Sequence, residues 1–227
     1  MKLSIIVPAY NEEKTITKVI DKLLRLKIRG WHKDVIVVDD ASTDQTLQLL
    51  KNYRGKITLI HHLANRGKTA AIRTAVRQTS GDYIIIQDAD LEYDPKDIPL
   101  LIRALGDSKD AVVFGSRFAT SKYVDTVFGH KFGNKLLTLL ANLLYRSDIS
   151  DMETCYKLIP GPFLRSITLQ SDRFGFEPEI TAKVLRSGRK IKEVPISYVK
   201  RSVTEGKSIR WWRDGWATVA ILIRYRL

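Results

Sequence analysis

The sequence predicts an α/β domain with a mostly parallel central sheet flanked by helices, and three observations carry that expectation. Short apolar runs alternate along the chain with stretches whose apolar residues recur at helical spacing. The runs are apolar almost throughout rather than at every second residue, as in strands covered on both faces of a parallel sheet. Four of the runs break off into polar residues, and ligands of such sheets bind just beyond the carboxyl ends of the strands.

Taken in order, Leu3–Val7 is the first strand, and Asn11–Leu26 is a helix with Ile16, Val19, Ile20, Leu23 and Leu24 on one stripe. Val35–Val38 is the second strand. It ends in Asp39-Asp40-Ala41-Ser42 and leads into a helix over Thr43–Asn52, with Ser42 and Asp44 near its start. Ile57–His61 is a short third strand, Lys68–Gln78 a helix opening after Gly67, and Tyr83–Gln87 the fourth strand. Pro95–Leu105 begins with a proline, whose fixed φ suits a first helical turn, and Ala111–Gly115 is the fifth strand. Right-handed crossovers join parallel strands in such units. From Thr120 the pattern changes to a helix over Phe128–Tyr145, a short strand near Tyr156–Ile159, helices near Phe163–Leu169 and Glu177–Ser187, and a strand at Ile191–Pro195. No internal repeat, linker or low-complexity segment interrupts the series.

A chain of 227 residues with 44% hydrophobic content can bury a core as one domain, or as one domain with an appendage. Its formal charge is +13, and residues 183–227 hold twelve Lys/Arg against three Asp/Glu, so nine of those charges lie at the C-terminal end. Nucleic acid, an anionic membrane surface or a phosphorylated substrate each fits that balance. Cys155 is the single cysteine, which excludes an intrachain disulfide, speaks against a cysteine metal site and fits a reducing compartment. The N-terminal apolar run is too short for a signal-peptide core, and no stretch reaches the roughly 20 apolar residues of a membrane span. The expectation is a protein that stays inside the cell and does not span a membrane by itself. Neither G-x-G-x-x-G nor G-x-x-x-x-G-K-[ST] occurs, so dinucleotide-fold and P-loop chemistry are not indicated; Gly67-Lys68-Thr69 lacks the earlier glycine.

The stretch that points most directly to chemistry is Tyr83-Ile84-Ile85-Ile86-Gln87-Asp88-Ala89-Asp90, a buried run that ends in two carboxylates two residues apart. In an extended chain, residues i and i+2 face the same side, so Asp88 and Asp90 can face one hard divalent ion and a phosphate that it carries. The same three residues also fit an Asx turn after a strand. The other polar strand ends are Pro8-Ala9-Tyr10-Asn11-Glu12, Asp39-Asp40 and Ser116-Arg117. Acids at three ends fit a cation or sugar hydroxyls, whereas a face for duplex nucleic acid would be lined by Lys and Arg.

Four motifs in this order carry a resemblance: Ile6-Val7-Pro8-Ala9-Tyr10-Asn11-Glu12, Val37-Val38-Asp39-Asp40-Ala41-Ser42-Thr43-Asp44, Asn65-Arg66-Gly67-Lys68 and Asp88-Ala89-Asp90-Leu91. Together they resemble the family 2 glycosyltransferases of the GT-A fold and, within them, the polyprenyl-phosphate (dolichyl-phosphate) sugar synthases. The resemblance is strongest over 1–117, which it marks as the nucleotide-sugar-binding half. It continues through an acceptor half at 118–204 and a basic, Trp-rich interfacial segment at 205–227. It implies that Pro8, Ala9, Tyr10, Glu12, Asp39, Asp40, Lys68, Asp88 and Ala89 bind the nucleotide, and that Asp88 and Asp90 hold Mg2+ or Mn2+ on the diphosphate. Glu92 stands where the family often has Gln two positions after the second metal Asp. For the phosphate of a lipid acceptor, the resemblance points to Arg117, His130, Lys131, Asn134 and Arg201, and arginine grips phosphate bidentately.

The activity implied is an inverting, metal-dependent transfer of a hexose from a nucleotide sugar to a polyprenyl or dolichyl phosphate, of the kind that feeds protein glycosylation. GDP-mannose is the first choice of donor and UDP-glucose the second, with a family 2 transferase acting on a cell-surface glycan as a further reading and a nucleic-acid-binding protein as a remote one. A phosphate dianion is already a nucleophile, so no strong base is required; Asp90 or Asp151 is the candidate if a base or orienting carboxylate is used, with Arg117 as the catalytic cation. Residues 205–227 join Trp211, Trp212 and Trp216 to basic residues and a short apolar stretch, the composition of an interfacial segment. The expected setting is the cytoplasmic face of an anionic membrane, with peripheral attachment or a membrane-protein partner and without nucleic acid.

Overall fold

A computed structural model describes residues 1–108, 110–118, 123–124, 128–171, 175–199 and 211–226, with 123–124, 128–131 and 211–214 as backbone only. The strands of the main sheet are β1 (Lys2–Ala9), β2 (His32–Asp39), β3 (Thr58–His61), β4 (Tyr83–Ile86), β5 (Val112–Ser116), β7 (Lys157–Pro160) and β8 (Ile191–Pro195). They lie in the order β3-β2-β1-β4-β7-β5-β8. The helices are α1 (Ile16–Arg25), α2 (Thr46–Lys51), α3 (Lys68–Val76), α4 (Ile98–Leu105, after a 3-10 turn at Pro95–Asp97), α5 (Phe128–Tyr145), α6 (Gly161–Ser166), α7 (Phe176–Arg186) and α8 (Trp211–Arg226). A second, two-stranded sheet pairs β6 (Tyr123–Val124) with β9 (Tyr198–Val199) in parallel.

The apolar runs become the centre of the sheet. In β4 all four residues are buried, and Ile5, Ile6 and Val7 of β1 and Val37 and Val38 of β2 are fully enclosed with it. Each such aliphatic side chain contributes about 1.5–3 kcal/mol when removed from water. Strand β1 pairs in parallel with both β2 and β4, so the chain reverses its direction of growth between β1 and β4. That reversal opens a crevice at the carboxyl edge, where Asp88 and Asp90 follow β4.

Strand β7 runs antiparallel to both β4 and β5, while β8 is parallel to β5. Its amino-terminal end therefore lies at the same edge as the carboxyl ends of β1, β2, β4 and β5. The lead-in Asp151–Tyr156 thus arrives at the crevice as well. Length and hydrophobicity marked this strand but not its direction.

Two helices begin later than their periodicity suggests. Helix α1 starts at Ile16 rather than Asn11, and α2 at Thr46 rather than Thr43. Asn11 has φ 53°, a left-handed conformation that a helix cannot continue through. The residues before each helix instead bind the other loop. Asn11 N donates to Ser42 Oγ at 3.0 Å and Thr43 N to Asn11 Oδ1 at 2.8 Å; Glu12 N donates to Thr46 Oγ1 at 2.8 Å and Gln45 N to Glu13 Oε2 at 3.0 Å. These bonds lace the loops after β1 and β2 into one wall.

Near the opposite edge, two backbones meet at a glycine. Gly161 N donates to Asp82 O at 2.7 Å, and a Cβ built on Gly161 would lie 2.1 Å from Gly81 O. Because that neighbour is backbone, it cannot swing aside. Gly161→Ala should therefore destabilise the fold by about 1–3 kcal/mol, the usual penalty of overpacking. Urea denaturation with an unchanged m-value reads that loss; an unchanged midpoint would show that the 81–82 backbone yields.

Candidate active site

Each loop at the carboxyl edge is held by side chains taken from its neighbours. Asp40 is 3% exposed, and its carboxylate accepts from Arg66 N (3.0 and 3.1 Å), Gly67 N (2.7 Å) and the His62 ring at Nδ1 (2.6 Å). An acid on the amides just before α3 complements the positive end of that helix and fixes where Lys68 starts. Asp39 Oδ2 contacts His61 Nδ1 at 2.8 Å and accepts from Ser42 N at 3.3 Å. Asp39 Oδ1 is buried and has no hydrogen-bond partner among the described residues. Beyond it, Pro8 is half-buried, Ala9 is buried, Tyr10 is exposed and Glu12 accepts from Thr15 Oγ1 at 2.8 Å.

Left-handed backbone marks the same edge. Asn11, Ala41 and Leu91, which carry a Cβ at φ 53°, 60° and 65°, lie in the loops after β1, β2 and β4. For Ala41 and Leu91 this conformation is unfavourable by about 1–2 kcal/mol each, so the surrounding bonds hold it in place.

The acids after β4 differ in their surroundings. Asp90 Oδ1 accepts from Glu92 N at 3.0 Å, while Asp88 Oδ1 meets the Lys68 ammonium at 2.7 Å. Lys68 Nζ also lies 2.7 Å from Glu177 Oε1 of α7 and 3.9 Å from Cys155 Sγ. Burial alone would lower the pKa of this lysine, but the charges of Asp88 and Glu177 raise it well above its ordinary value. The Cys155 thiol is pushed well up by burial and by Asp88, which keeps it protonated.

A second charge cluster faces this one. Asp151 is fully buried and takes Arg117 in a fork: Nε to Oδ2 at 2.7 Å, Nη2 to Oδ1 at 2.7 Å, and the Arg117 backbone N to Oδ2 at 3.0 Å. The guanidinium also stands over the Tyr198 ring at 5.1 Å. Asn134 of α5 reaches Asp151 Oδ1 at 3.5 Å. Glu92 is buried and accepts from Tyr198 OH at 2.6 Å, which joins the loop after β4 to β9.

A seven-stranded sheet with its crevice at the β1/β4 reversal, two acids at the mouth and an arginine beyond them is an arrangement suited to holding a diphosphate beside a second anion. The sequence model for Glycosyl transferase family 2 matches residues 4–165. The chain belongs to glycosyl transferase family 2. Over 206 residues the transferase is 32% identical to an uncharacterized protein of Methanocaldococcus jannaschii, covering 85% of this chain and 86% of that one. It is 27% identical over 215 residues to the dolichol-phosphate mannosyltransferase of Pyrococcus furiosus, covering 91% of this chain and 59% of that enzyme's length. Glucosyl-3-phosphoglycerate synthase from Mycobacterium tuberculosis, crystallised in complex with Mn2+, uridine diphosphate and glucosyl-3-phosphoglycerate, superposes with a TM-score of 0.76 at 20% identity. That match covers 99% of this chain and 79% of the synthase, and the fold is GT-A.

Of the residues singled out in the sequence, the transferase brings Pro8, Ala9, Tyr10, Glu12, Asp39, Asp40, Lys68, Asp88, Ala89, Asp90, Arg117, Asn134 and Asp151 to the one edge or directly behind it. His130 and Lys131 lie in the first turn of α5, and their side chains fall outside the described residues, as does the whole of Arg201. Three charged residues that sequence reasoning did not single out complete the floor: Glu153, Lys157 and Glu177. Lys157 is fully buried over the Phe114 ring at 4.5 Å, and its ammonium holds Met152 O at 2.7 Å and Thr154 O. Burial lowers its pKa to about 8. An available signal was the density of charge in Asp151-Met152-Glu153-Thr154-Cys155-Tyr156-Lys157, which is unusual for a segment leading into a buried strand.

Removing the ammonium of Lys68 would leave Asp88 and Glu177 facing each other without a cation. Lys68→Met should destabilise the protein by about 3–5 kcal/mol, the usual effect of breaking a buried pair from one side. Adding Glu177→Gln should restore part of that loss. Thermal and chemical denaturation of both variants measure it, and equal stabilities would mean that Glu177 does not share the lysine.

Proposed function

We propose that the chain is an inverting, divalent-metal-dependent hexosyltransferase. In this reading it moves mannose from GDP-mannose, or in second place glucose from UDP-glucose, to a polyprenyl or dolichyl phosphate at the cytoplasmic face of a membrane. The observation that carries the proposal is the juxtaposition of Asp88 and Asp90, at the mouth of the crevice, with the Arg117 cluster opposite. The choice of lipid and of mannose rests on the likeness to the Pyrococcus mannosyltransferase.

Asp88 and Asp90 fit Mg2+ or Mn2+ by donor chemistry, since they offer carboxylate oxygens at half-buried positions. No group of three or more His, Cys, Asp or Glu that could hold a metal occurs among the described residues. Two carboxylates completed by substrate phosphates are the usual arrangement for Mg2+. When bound, the ion supplies Lewis-acid neutralisation of the leaving nucleoside diphosphate.

The chain's own residues do the rest. Asp39 Oδ1, an enclosed acceptor with no partner among the described residues, is suited to an N–H or O–H of the nucleoside. Pro8, Ala9, Tyr10 and Glu12 line its approach, with Ala89 buried beneath the diphosphate. Asp40 and Lys68 act from behind, the first by fixing the 65–67 loop and the second by orienting Asp88. Arg117, oriented by Asp151 with Asn134 beside it, offers charge to the acceptor phosphate, and the family resemblance assigns His130, Lys131 and Arg201 to the same phosphate. Neutralising that phosphate lets it approach the donor's own phosphates, and its dianion attacks the anomeric carbon in line without a strong base, which inverts the centre. Asp151 then serves as orienting carboxylate, because both its oxygens already hold Arg117.

Two exposed faces support the membrane setting. On α5, Phe132, Leu136, Leu139 and Leu143 recur at helical spacing and are 53–71% exposed. Helix α8 packs against α5 through Leu222, and Tyr145 OH donates to Leu222 O at 2.7 Å, yet α8 leaves Trp216 and Ile223 exposed. No helix among the described residues is long and apolar enough to cross a membrane. With the basic excess near the same helix, interfacial attachment follows.

The deciding experiment is a screen of GDP- and UDP-hexoses with polyprenyl phosphate in detergent, reading released nucleoside diphosphate with Mg2+, Mn2+ or EDTA. We expect turnover of one donor that EDTA abolishes, and a loss of at least about a hundredfold in Asp90→Asn, as for an electrostatic group acting in the transition state. Metal-independent turnover in that variant would remove the metal from the mechanism. Separately, Leu136→Glu with Leu139→Glu should reduce co-sedimentation with anionic liposomes while leaving nucleotide affinity unchanged, and high salt should weaken binding of the unmodified protein. Undiminished sedimentation of the double variant would turn attention to another face.

A further inference from the structure

The two charge clusters leave a carboxylate between them that neither employs. Glu153 sits on the turn before β7, two residues after Asp151, which holds Arg117, and two before Cys155, which touches Lys68. The carbonyls on either side of it, Met152 O and Thr154 O, are both gripped by the buried Lys157 ammonium, so the turn that presents Glu153 is fixed from below. Its Oε1 is enclosed and has no hydrogen-bond partner among the described residues, although the residue keeps part of its surface open. The charges that act on it are Glu177 and Lys157, then Arg117 and Asp151. Glu177 belongs to the lysine that holds Asp88, Arg117 and Asp151 form the cluster assigned to the acceptor, and Lys157 lies beneath the turn.

We infer that Glu153 is a specificity-determining residue that takes a hydroxyl of the transferred hexose, an inference that rests on the transferase reading above. In that reading the sugar ring must lie between the donor diphosphate at Asp88 and Asp90 and the acceptor phosphate at Arg117, which is the interval that Glu153 occupies. An enclosed oxygen with no partner is costly unless a ligand satisfies it, and a hexose presents O–H donors at the required place. Lys68, Arg117 and Lys157 are each committed to a carboxylate or to carbonyls, and among the described residues none of them pairs with Glu153. Burial and Glu177 push the pKa of Glu153 up to about 7, against the pull of Lys157 and Arg117. A carboxylate accepts from a hydroxyl and a carboxyl can also donate to one, so either form can engage the sugar.

Calorimetry on the full chain with Mg2+ tests this without an acceptor. The affinities of the unmodified protein, Glu153→Gln and Glu153→Ala are measured for GDP, UDP, GDP-mannose and UDP-glucose, and the factor that the hexose adds over the bare nucleotide is compared. We expect nucleoside diphosphate affinity to stay within about twofold and the hexose factor to fall about tenfold or more in the variants, the effect of one hydrogen bond to a charged group. Monodeoxy donors should show the loss only while the contacted hydroxyl is present. An unchanged hexose factor, or an equal loss with every deoxy donor, overturns the role of Glu153 while leaving the transferase reading in place. Failure of the unmodified protein to bind any nucleotide sugar overturns both. Thermal melting of the Gln variant, which keeps the shape of the side chain, separates loss of recognition from loss of fold.

Discussion

The crevice depends on one buried ammonium. Lys68 cannot shed its charge between Asp88 and Glu177, and a dehydrated charge is tolerated only where partners are held at bonding distance. Three separate pieces of chain must therefore meet at one point: the start of α3, the residues after β4 and the first turn of α7. Asp40 aims the lysine by fixing the amides of Arg66 and Gly67, and Asp40 is itself placed by the end of β2 through its N–H on Ala9 O at 2.8 Å. The acid pair thus inherits its position from the sheet through a chain of charge-assisted bonds.

That dependence explains why the two sides of the crevice stay in register. Asp88, Lys68 and Glu177 form one cluster, and Arg117, Asp151 and Asn134 the other; β7 joins them because its antiparallel course returns the chain to the edge at Asp151–Tyr156. Tyr93 ties the clusters from beneath: its OH accepts from Cys155 N at 3.1 Å and its ring packs against Tyr156 and Tyr198. Buried charges held at fixed positions need not reorganise when a substrate's charge shifts, which is the physical condition for electrostatic catalysis. The left-handed residues Ala41 and Leu91 belong to the same economy of position, since their unfavourable backbone is maintained by bonds from neighbouring loops.

Outside the crevice the organising force is apolar. Helix α5 divides its surface between Ala141, Leu137, Leu140 and Leu144, which pack with α8, and Phe132, Leu136, Leu139 and Leu143, which do not. A helix with apolar residues on both faces has more apolar surface than its packing against α8 covers. The C-terminal helix reads as a packing element through Thr218 and Leu222 and as an interfacial one through Trp216 and Ile223, so its two sequence interpretations coexist on opposite sides.

The sequence by itself determined the strand order of events through β5, the burial of Tyr83–Ile86 and the presence of acids at three strand ends, because apolar runs and polar breaks are local properties. It also determined family membership, since four spaced motifs are read without any contact. What only the tertiary structure decided is which acids face substrate and which hold the scaffold. Asp39 and Asp40 are adjacent, yet one keeps an enclosed oxygen without a partner among the described residues while the other is saturated by Arg66, Gly67 and His62. The direction of β7, and with it the arrival of Glu153 between two charge clusters, was equally beyond local reading. Strand polarity is set by pairing with β4 and β5, residues some forty to eighty positions away, and no pattern within Lys157–Pro160 records it.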